Sequence, residues 1–186
     1  LLYLLGGAAR VGKSTLSRKL LIERHIPYLP IDTLKMGFAN GMPTLAVDPN
    51  ASSLVIGEQL WPVLHAMSVC LLENDLAYLL EGDMLLPKYV DALLRDHGPA
   101  TVRACFLGYT TVSLDRKLWE IRRYGGGPDD WMRDLTDAEV LDLIAENVQY
   151  SRYLQQECAL YGIAYFDTAE DYPGILERAY HYLVAT

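Results

Sequence analysis

The chain lacks the features that mark several large protein classes. Its cysteines, Cys70, Cys105 and Cys158, lie far apart in apolar or helix-like stretches. They have neither the short paired spacing of a zinc site nor the density of a disulfide scaffold. They are expected to be buried free thiols in a reducing compartment. The histidines, His25, His65, His97 and His181, are equally scattered and read as core or surface residues rather than ligands. Basic residues are outnumbered: 16 Lys and Arg against 24 Asp and Glu give a formal charge of -8. With no basic stripe in view, a nucleic-acid surface is excluded. A nucleotide site is not, because a few amides and cations suffice there. No apolar run is expected to span a membrane, and there is no internal repeat or low-complexity tract. The opening LLYLL has no charged leader and reads as a strand rather than a signal peptide. Because the chain does not begin with Met, a few residues are expected to precede it. Cytoplasm is the default expectation.

What is present fits one domain over residues 1–186, with 51% hydrophobic and 22% charged residues. Strand-like runs at 1–6, 28–32, 76–83, 101–109 and 164–168 alternate with helix-like stretches. The helical stretches are 13–25, 53–73, 87–97, 113–123, 137–161 and 173–185. Thr136 and Glu139 have the spacing of a capping box, and Gly162 stands where a helix ends. Pro62 is expected to start or kink the 53–73 helix. Alternation of this kind predicts an α/β domain: right-handed crossovers and a parallel sheet covered on both faces. Ligands of such sheets bind at the carboxyl ends of the strands. That rule selects the loop after the first strand, Asp32, Glu81 and Asp83, and Thr168 to Asp171. The segments 36–53 and 124–130 are the loosest, and are expected to be mobile coverings.

The loop after the first strand reads GGAARVGKST. Gly7, Gly12, Lys13 and Ser14 meet the spacing G-x-x-x-x-G-K-[ST] of a phosphate-binding loop. Glycines let the backbone turn so that its amides approach an anion, and the following helix adds its positive end. Gly7, Ala8, Ala9, Arg10, Val11, Gly12, Lys13, Ser14 and Thr15 would then form the nucleotide cradle. Lys13 would reach the outer phosphates and Ser14 the accompanying magnesium. The bland alternative is a glycine-rich turn that binds nothing.

Three acids stand at strand ends. Asp32 closes PYLPID, where a carboxylate can take a proton from an attacking hydroxyl; the alternative is a helix cap for TLKMGF. Glu81 and Asp83 close the third strand. Acids at the end of an apolar run are costly unless they meet a cation. One is expected to serve a magnesium ion beside Ser14, with Glu81 the candidate, and the other the substrate; two exposed carboxylates in a turn is the alternative. Moving phosphoryl charge also needs cations. Arg116, Arg122, Arg123 and Arg133 flank a triple glycine in a segment of about residues 116–135 that could close as a lid. Arg122 and Arg123 are the catalytic candidates, with Arg152 as a further inward-reaching group; a solvated helix face explains any one of them equally. Phe38, with Met36, is expected on the acceptor side. Trp61, Trp119 and Trp131 either pack or line the acceptor pocket.

On these residues the chain resembles the P-loop small-molecule kinases, a group that includes nucleoside monophosphate, shikimate and gluconate kinases and chloramphenicol phosphotransferase. GGAARVGKST followed by PYLPIDTLKMGF is similar to the start of chloramphenicol phosphotransferase, which implies an acceptor-activating role for Asp32. LLEGDMLLP looks like the acid-glycine stretch of 2-phosphoglycerate kinase and of the monophosphate kinases. EIRRYGGGPDD looks like a short lid. The resemblance implies a three-layer P-loop NTPase fold with sheet order 2-3-1-4-5, and adenine near Thr168. It implies ATP and Mg2+ as cofactors, and transfer of the γ-phosphoryl group to a hydroxyl of a small molecule. One departure is clear: EGDMLLPKY lacks the arginine that holds an acceptor phosphate in the monophosphate kinases. A nucleotide acceptor is therefore less expected than another hydroxylated small molecule. A nucleotide hydrolase or switch, or a non-catalytic nucleotide-binding module, remains the alternative, and a homodimer stays open.

Overall fold

A computed structural model describes residues 1–125, 130 and 132–185. The strands are β1 (Leu2–Gly7), β2 (Tyr28–Pro30), β3 (Tyr78–Gly82), β4 (Val102–Gly108) and β5 (Ala164–Asp167). They form one sheet in the order β2-β3-β1-β4-β5, and every pairing is parallel. The α/β expectation and its strand order are met. The helices are α1 (Lys13–Arg24), α2 (Ile31–Gly41), α3 (Ser53–Glu73), α4 (Pro87–His97), α5 (Leu114–Tyr124), α6 (Asp137–Tyr161) and α7 (Tyr172–Val184).

The continuous apolar runs of the strands are explained by burial on both faces. Alternate residues of β1 point opposite ways. Tyr3 and Leu5 join Leu16, Leu20, Ile144 and Leu183 in one core layer, and Leu2 and Leu4 join Ile56, Leu60, Leu64 and Leu93 in the other. Strand β4 divides likewise, with Cys105 and Leu107 on the first side and Val102, Ala104 and Phe106 on the second. Helix α6 serves both layers: Val140, Ile144 and Val148 pack into the first, Leu154 and Cys158 into the second. Its ends are as the sequence predicts. Thr136 and Glu139 make the reciprocal capping box, and Gly162 turns the chain out at φ 66.

Four expectations are corrected. The acceptor-side stretch from residue 36 is not a loose loop at its start: helix α2 runs to Gly41, and a short 3-10 turn follows at Pro43–Leu45. Gly37 and Gly41 lower its intrinsic propensity, but Ile31, Leu34 and Phe38 form a helical stripe against the second core layer. Packing outweighs propensity here. Helix α3 does not start at Pro62: Ser52 caps it by accepting from the Val55 amide, and Pro62 lies within it on its exposed side. The same helix is long and apolar enough, by length and composition, to cross a membrane, against the expectation of no such run. In the fold its Ile56, Leu60 and Leu64 are buried in the second core layer. Finally, Cys70 is exposed, while Cys105 and Cys158 are buried; burial pushes the Cys158 thiol up to about 12.

The register places the functional ends together. Leu5 pairs with Glu81 and Gly7 with Leu107, while Pro30 pairs with Glu81 from the other side. Gly7 has φ 141, and a Cβ there would overlap the Leu107 carbonyl oxygen. Gly7→Ala should therefore lower the unfolding free energy by about 2 kcal/mol or more. Urea unfolding followed by circular dichroism measures it.

Candidate active site

The loop leaving β1 bends back at glycines. Gly12 adopts φ 98 as the N-cap of α1, and no side chain caps that helix. The amides of its first turn are thus open to an anion, with the helix dipole aligned behind them. Space is restricted as well: a Cβ on Gly12 would lie 2.7 Å from the Tyr172 hydroxyl. Arg10 is also left-handed, at φ 61, a conformation costly for a residue with a Cβ.

Side chains already brace this loop. Lys13 Nζ donates to the Gly7 and Ala8 carbonyls at 3.0 and 2.7 Å. The Ala9 amide donates to Asn147 Oδ1 at 2.9 Å, and Asn147 Nδ2 donates to the Leu143 carbonyl at 2.7 Å. Arg10 is ion-paired with Asp130, whose Oδ1 also accepts from the Met132 amide at 3.0 Å. With Met132 buried in the first core layer, the start of the stretch leading to α6 is tied to the loop.

Across the sheet edge, Glu81 is buried at 4% exposure. Ser14 Oγ donates to its Oε1 at 3.5 Å. Burial pushes the Glu81 carboxyl up, against the pull of Lys13; the negative charges of Asp32 and Asp83 push it further. A carboxylate in that position would gain from a cation. Among the described residues no group of three or more His, Cys, Asp and Glu could hold an ion by itself. Ser14 and Glu81 would suit a magnesium ion only if phosphate and water completed its shell. Asp83 Oδ2 accepts from Ser53 Oγ at 2.7 Å, and its main-chain carbonyl accepts from Tyr150 Oη.

Asp32 lies not at a strand end but in the first turn of α2, since β2 stops at Pro30. Its side chain is 60% exposed and pairs with Lys35 at 2.8 Å. Phe38, one turn further on, is half-buried against the second core layer. The structure thus gathers Lys13, Ser14, Glu81, Asp83 and Asp32 at one sheet edge.

It does not bring the lid arginines there. Arg122 donates to Asp137 Oδ1 at 3.0 Å and to the Met132 and Leu135 carbonyls at 3.0 and 2.6 Å. Its guanidinium clamps the connection between α5 and α6. Arg123 lies over the Trp119 and Tyr124 rings on the exposed face of α5. Arg116 pairs with Glu120, and Arg152 Nε donates to the Thr110 carbonyl. Residues 126–129 of the expected lid, and Trp131, lie outside the described residues. Thr168 is buried and donates to the Gly108 carbonyl through its amide and its hydroxyl, at 2.7 and 3.0 Å. Its hydroxyl ties the end of β5 to β4. Trp61 stacks on Tyr89 at 4.6 Å and joins α3 to α4.

Two polar residues near the loop escaped the sequence reading. Asn147 sits on the same face of α6 as Val140 and Ile144, and a polar residue in an apolar stripe was its signal. Lys117 precedes Ile121 by one turn, and both are buried. Its ammonium lies 4.8 Å from the Tyr109 ring centroid and 5.9 Å from that of Tyr172. Burial pushes its pKa down, opposed by Glu120 and helped by Arg10. A buried lysine beside the loop's own arginine is a second cation at this edge.

Comparison with family models finds no match, and comparison with curated protein sequences finds none either. Solved structures do match in fold. A gluconokinase from Sinorhizobium meliloti aligns with TM-score 0.57 and 16% identity, covering 97% of this chain and 90% of its own. A shikimate kinase from Bacteroides thetaiotaomicron gives 0.56 and 15%, covering 96% of each chain. An uncharacterized protein from Eubacterium ventriosum gives 0.56 and 12%, covering 100% of this chain and 99% of its own. The chain shares its fold with that gluconokinase and that shikimate kinase.

The desolvated Glu81 has a measurable cost. With its pKa raised, the folded chain holds that proton more tightly than the unfolded chain does. Stability from this group therefore falls as pH rises from the ordinary glutamate range through the raised value. In nucleotide- and metal-free protein at neutral pH, Glu81→Gln should raise stability by about 1 kcal/mol, or roughly 2–4 °C in Tm. Differential scanning calorimetry checks it; a fall in Tm contradicts the burial account.

Proposed function

We propose that the protein is an ATP-dependent kinase that moves the γ-phosphoryl group to a hydroxyl of a small molecule. The observation that carries this reading is the juxtaposition of Lys13 and an uncapped helix N-terminus with Asp32, Glu81 and Asp83 at one sheet edge. The shared fold with a gluconokinase and a shikimate kinase supports it.

On this reading the amides of residues 8–15 and Lys13 hold the phosphate chain of ATP. Lys13 exchanges the Gly7 and Ala8 carbonyls for phosphate oxygens, which are stronger acceptors because they are charged. Ser14 and Glu81 would hold magnesium, which when bound would neutralise charge on the phosphates. Asp32, oriented by Lys35, receives the acceptor's hydroxyl proton as the acceptor oxygen bonds to the γ-phosphorus and the bond to the leaving ADP breaks. The cations beside the loop are Arg10 and Lys117. Arg122 and Arg123 join them only by giving up the contacts they hold now.

Water must be kept from competing for the phosphoryl group, so ADP release should depend on an added acceptor. Lys13→Ala should reduce that release by about 100-fold or more with an unchanged circular dichroism spectrum. Retention of most of the activity contradicts the reading. Steady ADP release from ATP alone would instead mark a hydrolase. Asp32→Asn should lower kcat by about 100-fold or more while the KM for ATP moves less than about 3-fold. Equal losses in both would assign Asp32 a structural role.

A further inference from the structure

One short stretch of α6, residues 147–152, reaches the loops that leave the three middle strands of the sheet. Those strands, β3, β1 and β4, all end in glycine, so none has a side chain where its loop departs. Helix α6 supplies the hold instead. Asn147 Oδ1 accepts from the Ala9 amide at 2.9 Å, in the loop after β1. Tyr150 Oη donates to the Asp83 carbonyl, in the loop after β3. Ser151 Oγ accepts from the Tyr109 amide at 3.1 Å, and Arg152 Nε donates to the Thr110 carbonyl at 3.0 Å, both just beyond β4.

Each of these partners is a main-chain atom, so the contacts fix where the loops run. The side chains that make them are fixed in turn. Asn147 Nδ2 donates to the Leu143 carbonyl at 2.7 Å, which leaves Oδ1 for the Ala9 amide. Burial pushes the Tyr150 phenol well above its ordinary range, and the charge of Asp83 pushes it further; it stays a donor at neutral pH. Its ring packs against both core layers. Ser151 is fully buried, and a Cβ on Gly108 would lie 3.0 Å from its own Cβ. The helix behind them runs for 25 residues between a capping box and a left-handed glycine. Groups carried on such an element are held more precisely than groups on loops.

Phosphoryl transfer is exacting about distance, and a displacement of about 1 Å between reacting groups costs about 100-fold in rate. Here the groups that must meet belong to different strands. Lys13 and Ser14 follow the loop after β1, while Glu81 and Asp83 stand at the end of β3. Resting on the kinase reading above, we infer that residues 147–152 of α6 set the spacing between the nucleotide half and the metal half of the site. Asn147 is the positioning residue for the phosphate loop, and Tyr150 is the positioning residue for the acids.

The test is binding of adenylyl imidodiphosphate, an ATP analogue that does not pass on its γ-phosphoryl group, to the full chain. Isothermal titration calorimetry reads Kd once with MgCl2 and once with EDTA. Asn147→Leu keeps the side-chain volume and removes the acceptor. Its Kd should rise by about 10-fold or more in both buffers. Asn147→Ala takes its place if the leucine variant does not fold. Tyr150→Phe removes a single oxygen. Its Kd in EDTA should stay within about 3-fold of the unaltered chain, while the tightening produced by Mg2+ falls by about 5-fold or more. A merely structural brace would lower Tm and leave both Kd values and the Mg2+ effect where they were. That outcome overturns this inference and leaves the kinase reading standing. Affinity of the unaltered chain that Mg2+ does not change overturns the metal assignment, and the role of Tyr150 with it. No binding of the analogue by the unaltered chain in either buffer overturns both readings.

Discussion

The rest of the molecule depends on how closely the end of β1 approaches β4. Gly6 and Gly7 pair with Phe106 and Leu107; a Cβ on Gly6 would overlap the Phe106 ring, and one on Gly7 the Leu107 carbonyl. Only a strand without side chains at its carboxyl end can lie so near its neighbour and then turn out of the sheet. That approach delivers the chain to Gly12 and opens α1 with its amides uncapped. Move the strand outward by a methyl group and the amides point elsewhere. The phosphate loop is therefore a consequence of sheet packing as much as of its own residues.

Around that loop the charges are held in a poised arrangement. Lys13 rests on carbonyls that phosphate oxygens can replace. Glu81 bears the cost of burial beside two other acids. Arg10 sits in a strained conformation and is tied to Asp130. Each of these carries some energetic penalty in the free protein, and a polyphosphate with its metal would relieve the first two directly. Strain and desolvation gathered at one sheet edge support the proposed ligand site, because packing alone gives no reason to keep them.

How far the sequence could be read depended on the range of the interactions involved. The strands were legible within a residue or two because burial on both faces makes them continuous apolar runs. The ends of α6 were legible because capping is local: Thr136 bonds Glu139 three residues away. Helix α2 was not, since its glycines speak against a helix and only contact with the second core layer overrides them. Asp32 was assigned to the wrong element for the same reason. Arg122 shows the converse limit of local reading. An arginine beside a triple glycine fits a lid, yet its partners at Met132, Leu135 and Asp137 come from the far side of the connection. Cys70 was misjudged because an apolar helix buries only one face, and periodicity did not reveal which.

By itself the sequence determined the glycine-rich loop, the α/β alternation and the acids that close β3, because glycine spacing and strand burial act over a few residues. Tertiary structure alone decided which charges meet. It set Asn147 on the Ala9 amide, Lys117 beside the loop, Lys35 on Asp32, and Ser53 on Asp83. Electrostatic and hydrogen-bond partners are chosen by distance in space, and distance in space is fixed only when both core layers have closed on the sheet.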